Sequence, residues 1–227
     1  MTALNAMIQK DLILLSMDTQ VSTRTDGKIG PAYYNQKFEV LPFAKSVIAG
    51  TGDYDTIIKA MQITKRLLVR DVETLAEMLR DTLKHKELNE ERRSTLYLFG
   101  YDDVSRIRAF ALRSGNSFEI EDLLKEESGI LVLKPELENR KEFLDLIEND
   151  SLDQVIQGFK LTMRKQKMID EKKDVGDPER VGIGGENILC LIGENFERIN
   201  MFKIDRFDDY DEQYNLALSN IHKQLDF

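Results

Sequence analysis

The chain has 227 residues, of which 41% are hydrophobic and 32% charged, a balance that supports a sizeable core and excludes a disordered chain. Its 41 acidic residues outnumber 32 basic ones, giving a net charge of −9, so a phosphate backbone is repelled and no nucleic-acid partner is expected. The apolar runs are too short to cross a membrane, no basic-then-apolar leader opens the chain, and no break rich in Pro, Gly or Ser divides it, so one soluble cytoplasmic domain over residues 1–227 is expected.

Residues Met1 to Asp18 read as a β-hairpin whose two runs, Thr2 to Ile8 and Leu12 to Met17, are apolar on both faces, as strands covered on two sides are. Thr19 to Asn35 is small and polar, with Gly27, Gly30 and Pro31, and reads as a long loop bordering a site. Short strands follow at Lys37 to Pro42 and Ser46 to Gly50. Asp53 is placed to cap a helix from Tyr54 to Val69, and Asp71 a second from Val72 to about Lys86. A charged connection at Glu87 to Arg93 leads to strands at Ser94 to Tyr101 and Arg106 to Leu112, with Gly115-Asn116 closing their hairpin. Ile120 to Glu127 fits either class, Gly129 to Leu133 reads as a strand and Glu136 to Glu148 as a short helix.

Ser151 and Gln154 have capping-box spacing for a helix bearing Val155, Ile156, Phe159 and Met163 on one side. Its other side carries Lys160, Arg164, Lys165 and Lys167, a solvated face in the plainer reading and a docking surface in the other. Strands at Asn187 to Ile192 and Arg198 to Ile204 and a helix from Asp208 to Leu225 end the chain. The lone Cys190 lies in the run Ile188 to Ile192 and reads as a buried structural thiol. Strands, paired helices, strands, paired helices, strands and helix form neither a repeating βαβ nor an all-β pattern. Two antiparallel sheets packed face to face under helices, a four-layer αββα sandwich of class α+β, account for strands apolar on both sides.

Most catalytic constellations are short of parts. The two histidines, His85 and His222, have no metal-ligand spacing and read as exposed helix residues, the acidic run Asp205 to Glu212 reads as a helix N-terminus, and Gly182 to Gly185 lacks a dinucleotide fingerprint. No metal and no cofactor is expected. An N-terminal threonine avoids the shortage, because once Met1 is removed the α-amine of Thr2, with a pKa of roughly 7.7 to 8, can take the proton of its own hydroxyl and return it to a leaving amine. A nearby cation favours the neutral amine and a carboxylate holds that cation. Lys37 and Asp18 are candidates for the two roles, and Gly50, in the turn Ala49-Gly50-Thr51-Gly52-Asp53, for an oxyanion N–H.

These residues resemble the pattern of the proteasome β-subunit family, including the HslV peptidase and related bacterial proteasome-like proteins, within the N-terminal nucleophile (Ntn) hydrolases. Thr2 and Asp18 stand sixteen residues apart as in that family, Lys37-Phe38-Glu39-Val40 resembles its Lys-opened strand, and Ile48 to Asp53 its glycine turn before a helix. Ile183-Gly184-Gly185 resembles its Ser-Gly-Gly. The resemblance extends over nearly the whole chain, with specific motifs in the first third. It implies a threonine endopeptidase with Thr2 as nucleophile, Lys37 tuning the amine, Asp18 orienting Lys37, Gly50 as oxyanion donor and Ser22 as a backbone contact to an extended substrate. It further implies homo-oligomeric rings or stacks of β-type subunits, fed peptide or unfolded protein by an ATP-dependent unfoldase. The chain departs from the family where serines are expected, at Gly129 to Pro135 and at Ile183, and where Arg180 replaces an Asp for which Asp177 is the candidate substitute. Those departures keep two alternatives in view, a catalytically degenerate subunit with a structural or binding role and a small-amide hydrolase on the same fold.

Overall fold

The computed structural model describes residues 2–84, 93–125, 130–137, 141, 151–193 and 196–225. His85, most of the connection expected at 87–93 and most of the helix expected at 136–148 fall outside the described residues, as does the side chain of His222.

One five-stranded antiparallel sheet runs in the order β10 (Ile130–Lys134), β1 (Leu4–Ile8), β2 (Leu12–Asp18), β11 (Glu186–Gly193), β12 (Phe196–Arg206). A second runs β5 (Phe38–Leu41), β6 (Ser46–Gly52), β7 (Ser94–Tyr101), β8 (Ile107–Arg113), β9 (Ile120–Asp122). Their facing sides make the main core. Because side chains alternate across a strand, β2 sends Ile13, Leu15 and Met17 to the other sheet, where Val47, Ala49, Tyr97, Phe99, Ala109 and Ala111 meet them. The intervening Leu14 points the other way, with Met7, Leu133, Leu189 and Leu191, against Val155 and Phe159 of helix α3 (Leu152–Glu171). The second sheet repeats the device. Ile48, Leu96, Leu98, Phe110 and Leu112 leave its outer face for α1 (Tyr54–Thr64) and α2 (Val72–Lys84). Strands apolar on both faces are thus the middle layers of an αββα sandwich.

The helix ends follow their sequence signals. Asp53 accepts the Thr56 N–H at 3.0 Å and Ser151 that of Gln154 at 3.5 Å, satisfying donors that a helix N-terminus leaves open. Helix α1 stops at Thr64, short of the expected Val69. The Thr64 hydroxyl donates to Met61 O at 2.9 Å, and the N–H groups of Arg66 and Leu67 reach back only three residues, which unwinds the helix and lets Val69 return to the core.

The segment expected as a loop at 19–35 is instead a two-stranded sheet, β3 (Gln20–Thr25) and β4 (Lys28–Tyr34). Its turn is Asp26-Gly27, both at positive φ (52° and 75°), the conformation an Asp-Gly hairpin turn requires. Pro31 sits opposite Ser22 beside a bulge, where a residue with no N–H is tolerated.

The basic face of α3 is a correction as well. Arg164 grips Asp205 with two donors, at 2.5 and 3.1 Å, Lys160 approaches the same carboxylate at 3.5 Å, and Lys167 reaches Asp209 at 3.0 Å. The acidic run is therefore the internal partner of that face, locking β12 and the start of α4 (Tyr210–Leu225) onto α3. Burial acts to raise the Asp205 carboxyl, but the Arg164 guanidinium outweighs it and holds it below the usual carboxylate value.

Phe159 is fully buried between α3 and the first sheet, so Phe159→Ala is expected to lower unfolding free energy by about 3 to 5 kcal/mol in urea denaturation. Burial pushes the Cys190 thiol up to about 12. Iodoacetamide at pH 8 should therefore leave the native protein unlabelled and alkylate the urea-unfolded chain fully. The raised thiol also makes stability fall as pH rises from about 8.5 toward 12, since there the folded state holds a proton that the unfolded state has released.

Candidate functional site

Thr2 precedes β1, half-buried, at the lip of a cleft of about 1030 Å³. Ser22, Lys37 and Gly50 line the same cleft, arriving from β3, from the residue just before β5, and from β6. Asp18 closes β2 beneath them and is fully buried. The five residues singled out in the sequence are thus brought together by five different strands and their flanks.

The Asp18 carboxylate is the junction. Lys37 Nζ donates to its Oδ1 at 2.7 Å, the Ala3 N–H donates to the same oxygen at 3.2 Å, and the Gly184 N–H donates to Oδ2 at 3.2 Å. The residue directly after Thr2, the lysine and the glycine loop are in this way tied to one carboxylate. The Lys37 side chain is 8% exposed. Its burial pushes the ammonium below the ordinary lysine value, while the Asp18 charge and hydrogen bond oppose that shift.

The 181–184 loop that delivers Gly184 is held from both sides. Asp170, 2% exposed on α3, accepts the N–H groups of Val181 at 2.7 Å and Gly182 at 2.8 Å. From β3, Gln20 Nε2 and the Ser22 hydroxyl donate to Gly182 O at 3.2 and 3.0 Å, and the Gln20 N–H donates to Gly184 O at 3.1 Å. Gly184 has no room for a Cβ, which would overlap the Gln20 amide. Asp177 is not part of this arrangement, since its carboxylate accepts the Glu179 N–H at 2.8 Å and caps its own turn. Asp170 was missed in the sequence because nothing near it in the chain marks it. Its partners lie more than ten residues away, across a turn.

The serine positions are filled by other chemistry. Ile183 is buried with Ala3, Met163, Val181 and Phe207, an apolar cluster directly behind the residue that follows Thr2. Among the described residues of the 129–135 stretch none carries a hydroxyl, and Leu133 points into the core under α3. Nearby, the Asn5 and Gln166 amides exchange two hydrogen bonds of 2.8 Å, and Gln166 also donates to Pro135 O at 2.7 Å. This fully buried amide pair fastens β1 to α3.

No family model and no curated protein sequence matches the chain. Solved structures do. An Anbu (Gly-1) mutant from Hyphomicrobium sp. strain MC1 superimposes with a TM-score of 0.63 at 12% identity, over 99% of this chain and 96% of that one. Anbu from Yersinia bercovieri, described as an ancestral beta-subunit, gives 0.59 at 12% identity over 98% and 96%. The chain has the proteasome-like Ntn fold. Within that fold the sheet-end cleft is walled by β6 and α1 on one side, and Gly50 lets them close up. A Cβ on Gly50 would lie 2.8 Å from Ile57 Cγ1, so glycine there allows the helix to lie directly against the backbone bordering Thr2.

Removing one member of the buried pair leaves the other charge without compensation. Asp18→Asn is expected to cost about 3 to 5 kcal/mol of stability, and the double variant Asp18→Asn/Lys37→Met to recover most of it, a non-additivity read from urea melts of the four proteins in the cycle.

Proposed function

We propose that this chain is an N-terminal threonine hydrolase that cleaves peptide bonds, working in the cytoplasm as a homo-oligomeric ring or stack. The observation that carries the reading is the buried Lys37–Asp18 pair opening onto the cleft that Thr2 lines. A buried ion pair is an expensive way to stabilise a fold, whereas a cation held beside a terminal amine has a chemical use.

With Met1 gone, the Thr2 amine takes the hydroxyl proton as Oγ attacks the substrate carbonyl. The Lys37 cation disfavours a second positive charge and keeps the amine in its basic form, and Asp18 fixes Lys37 in place. The oxyanion is met by the Gly50 N–H. As the C–N bond breaks, the proton passes to the leaving amine and an ester to Thr2 remains. Water then attacks that ester, giving its proton to the same amine, and the hydroxyl is regenerated with release of the acid. Peptide fits the roughly 1030 Å³ cleft better than a single small amide does, as this is the upper end of the volume usual for ligand sites. Delivery of unfolded chains by an ATP-dependent unfoldase follows as part of the same proposal. Among the described residues no helix is long and apolar enough to cross a membrane.

A second reading, a degenerate subunit with a structural or binding role, is favoured by one specific observation. Ile183 and the strand Ile130–Lys134 put apolar side chains where hydroxyls are expected.

Intact mass and activity separate the two. The expected outcome is a chain lacking Met1 that hydrolyses a fluorogenic peptide, and a Thr2→Ala variant at least about a thousandfold slower with an unchanged melting temperature. A fully assembled protein that retains Met1 and hydrolyses no peptide would replace the first reading with the second, and full activity in Thr2→Ala would overturn the threonine mechanism.

A further inference from the structure

The last helix contributes Leu216, Asn220 and Ile221 to the lining of the cleft. Helix α4 is seated on β4 by aromatic contacts, with Tyr34 5.3 Å from Tyr210 and 5.8 Å from Tyr214 between ring centroids. Arg206 covers Tyr210 at 4.2 Å, and Asn220 Nδ2 donates to Pro31 O at 3.4 Å. Tyr210, Tyr214, Ala217 and Ile221 recur at helical spacing, so this seat fixes how the helix is rotated. Leu216 and Ile221 are thereby brought to the cleft lining, together with Ile57, Ile58 and Met61 from α1. A hydroxyl–hydroxyl contact between Tyr33 of β4 and Tyr54 at the start of α1 ties the hairpin to the other wall.

We infer that α1 and α4 together form an apolar subsite that selects extended peptides carrying a large aliphatic or aromatic side chain. The inference rests on the peptide-cleaving reading for its occupant and goes beyond it in naming the residues that choose among peptides. Three observations converge on that occupant. The subsite is continuous with the space bordered by Thr2, Lys37 and Gly50, so a chain lying at Thr2 extends into it. Its apolar side chains come from two separate helices, and Leu216 is 46% exposed, which leaves apolar surface for an incoming side chain to cover. The charges at the lining are in part neutralised, since Lys65 pairs with Glu39 at 3.0 Å and Lys37 with Asp18 at 2.7 Å. Burial of a Leu-sized side chain against such a wall corresponds to about tenfold or more in affinity.

The test separates this inference from the threonine chemistry. The Thr2→Ala protein is titrated into two dansyl-labelled octapeptides, alike except that one has Leu and the other Glu at a single central position, and binding is followed by anisotropy. The Leu peptide is expected to bind at least tenfold more tightly. Leu216→Glu in the same background should erase that preference and Leu216→Met should keep it, all with unchanged melting temperature because Leu216 is not a core residue. Equal binding of the two peptides, no binding of either, or a preference that survives Leu216→Glu overturns the subsite. Hydrolysis by protein with Thr2 intact is read in parallel. Leu216→Glu should raise KM for the Leu octapeptide about tenfold with kcat unchanged. Failure of Thr2-dependent hydrolysis alongside selective binding would refute the peptidase and retain the subsite, whereas hydrolysis indifferent to Leu216 would do the reverse.

Discussion

Burying the Asp18 carboxylate at the end of β2 is the constraint around which the rest of the site is arranged. A fully desolvated carboxylate must find donors, and this one takes them from three parts of the chain: the Lys37 ammonium, the backbone beside Thr2 and the Gly184 N–H. Each donor requires its own support. Lys37 is placed by the start of β5, Ala3 by the apolar cluster with Ile183 and Phe207, and Gly184 by a loop clamped between Asp170 and the side chains of Gln20 and Ser22. The network is closed, so displacement of any one part leaves a buried polar group without its partner.

The layers make such a network affordable. Two sheets facing each other, with helices on their outer sides, give the strands β2 and β6 a covered environment on both faces, so a polar group at their ends is removed from water without a deep invagination. The cleft then lies at the strand ends, where backbone alternation stops and where the β3–β4 hairpin and α4 can lean in from outside. Glycine at position 50 and the deep packing of Ile57 against it bring a helix to within van der Waals contact of the backbone at that edge. The Thr2 end of the cleft is therefore closely packed on the α1 side, while another wall is set by a helix seated through aromatic contacts on the hairpin.

Where the resembled pattern has hydroxyls this chain packs apolar side chains, and a buried amide pair lies nearby. Ile183 contributes to the apolar cluster behind Ala3, and the Asn5–Gln166 pair secures β1 to α3 close to the N-terminus. Both features hold the first strand in position. Neither supplies a proton-transfer group, so in the peptidase reading proton movement falls to Thr2 itself, with Lys37 acting through its charge.

Residue order alone determined the layered architecture, and it singled out Thr2, Asp18, Lys37 and Gly50, which the fold brings together. Strands apolar at consecutive positions admit few environments, and the Thr2, Asp18, Lys37 and Gly50 spacings sit within fifty residues, where local signals accumulate. The β3–β4 hairpin was not read from the sequence: Asp26-Gly27 carries a turn signal, but the small polar residues and Pro31 around it read as a loop because β3 and β4 have no apolar alternation to announce them. What only the tertiary structure decided were the long-range pairings: Arg164 with Asp205, Asp170 with the 181–182 amides, Asn5 with Gln166, and Leu216 with the lining of the Thr2 cleft. A charged or amide side chain looks the same in sequence whether it faces solvent or a partner 160 residues away. Periodicity reports the face a residue occupies, and packing alone chooses what that face meets.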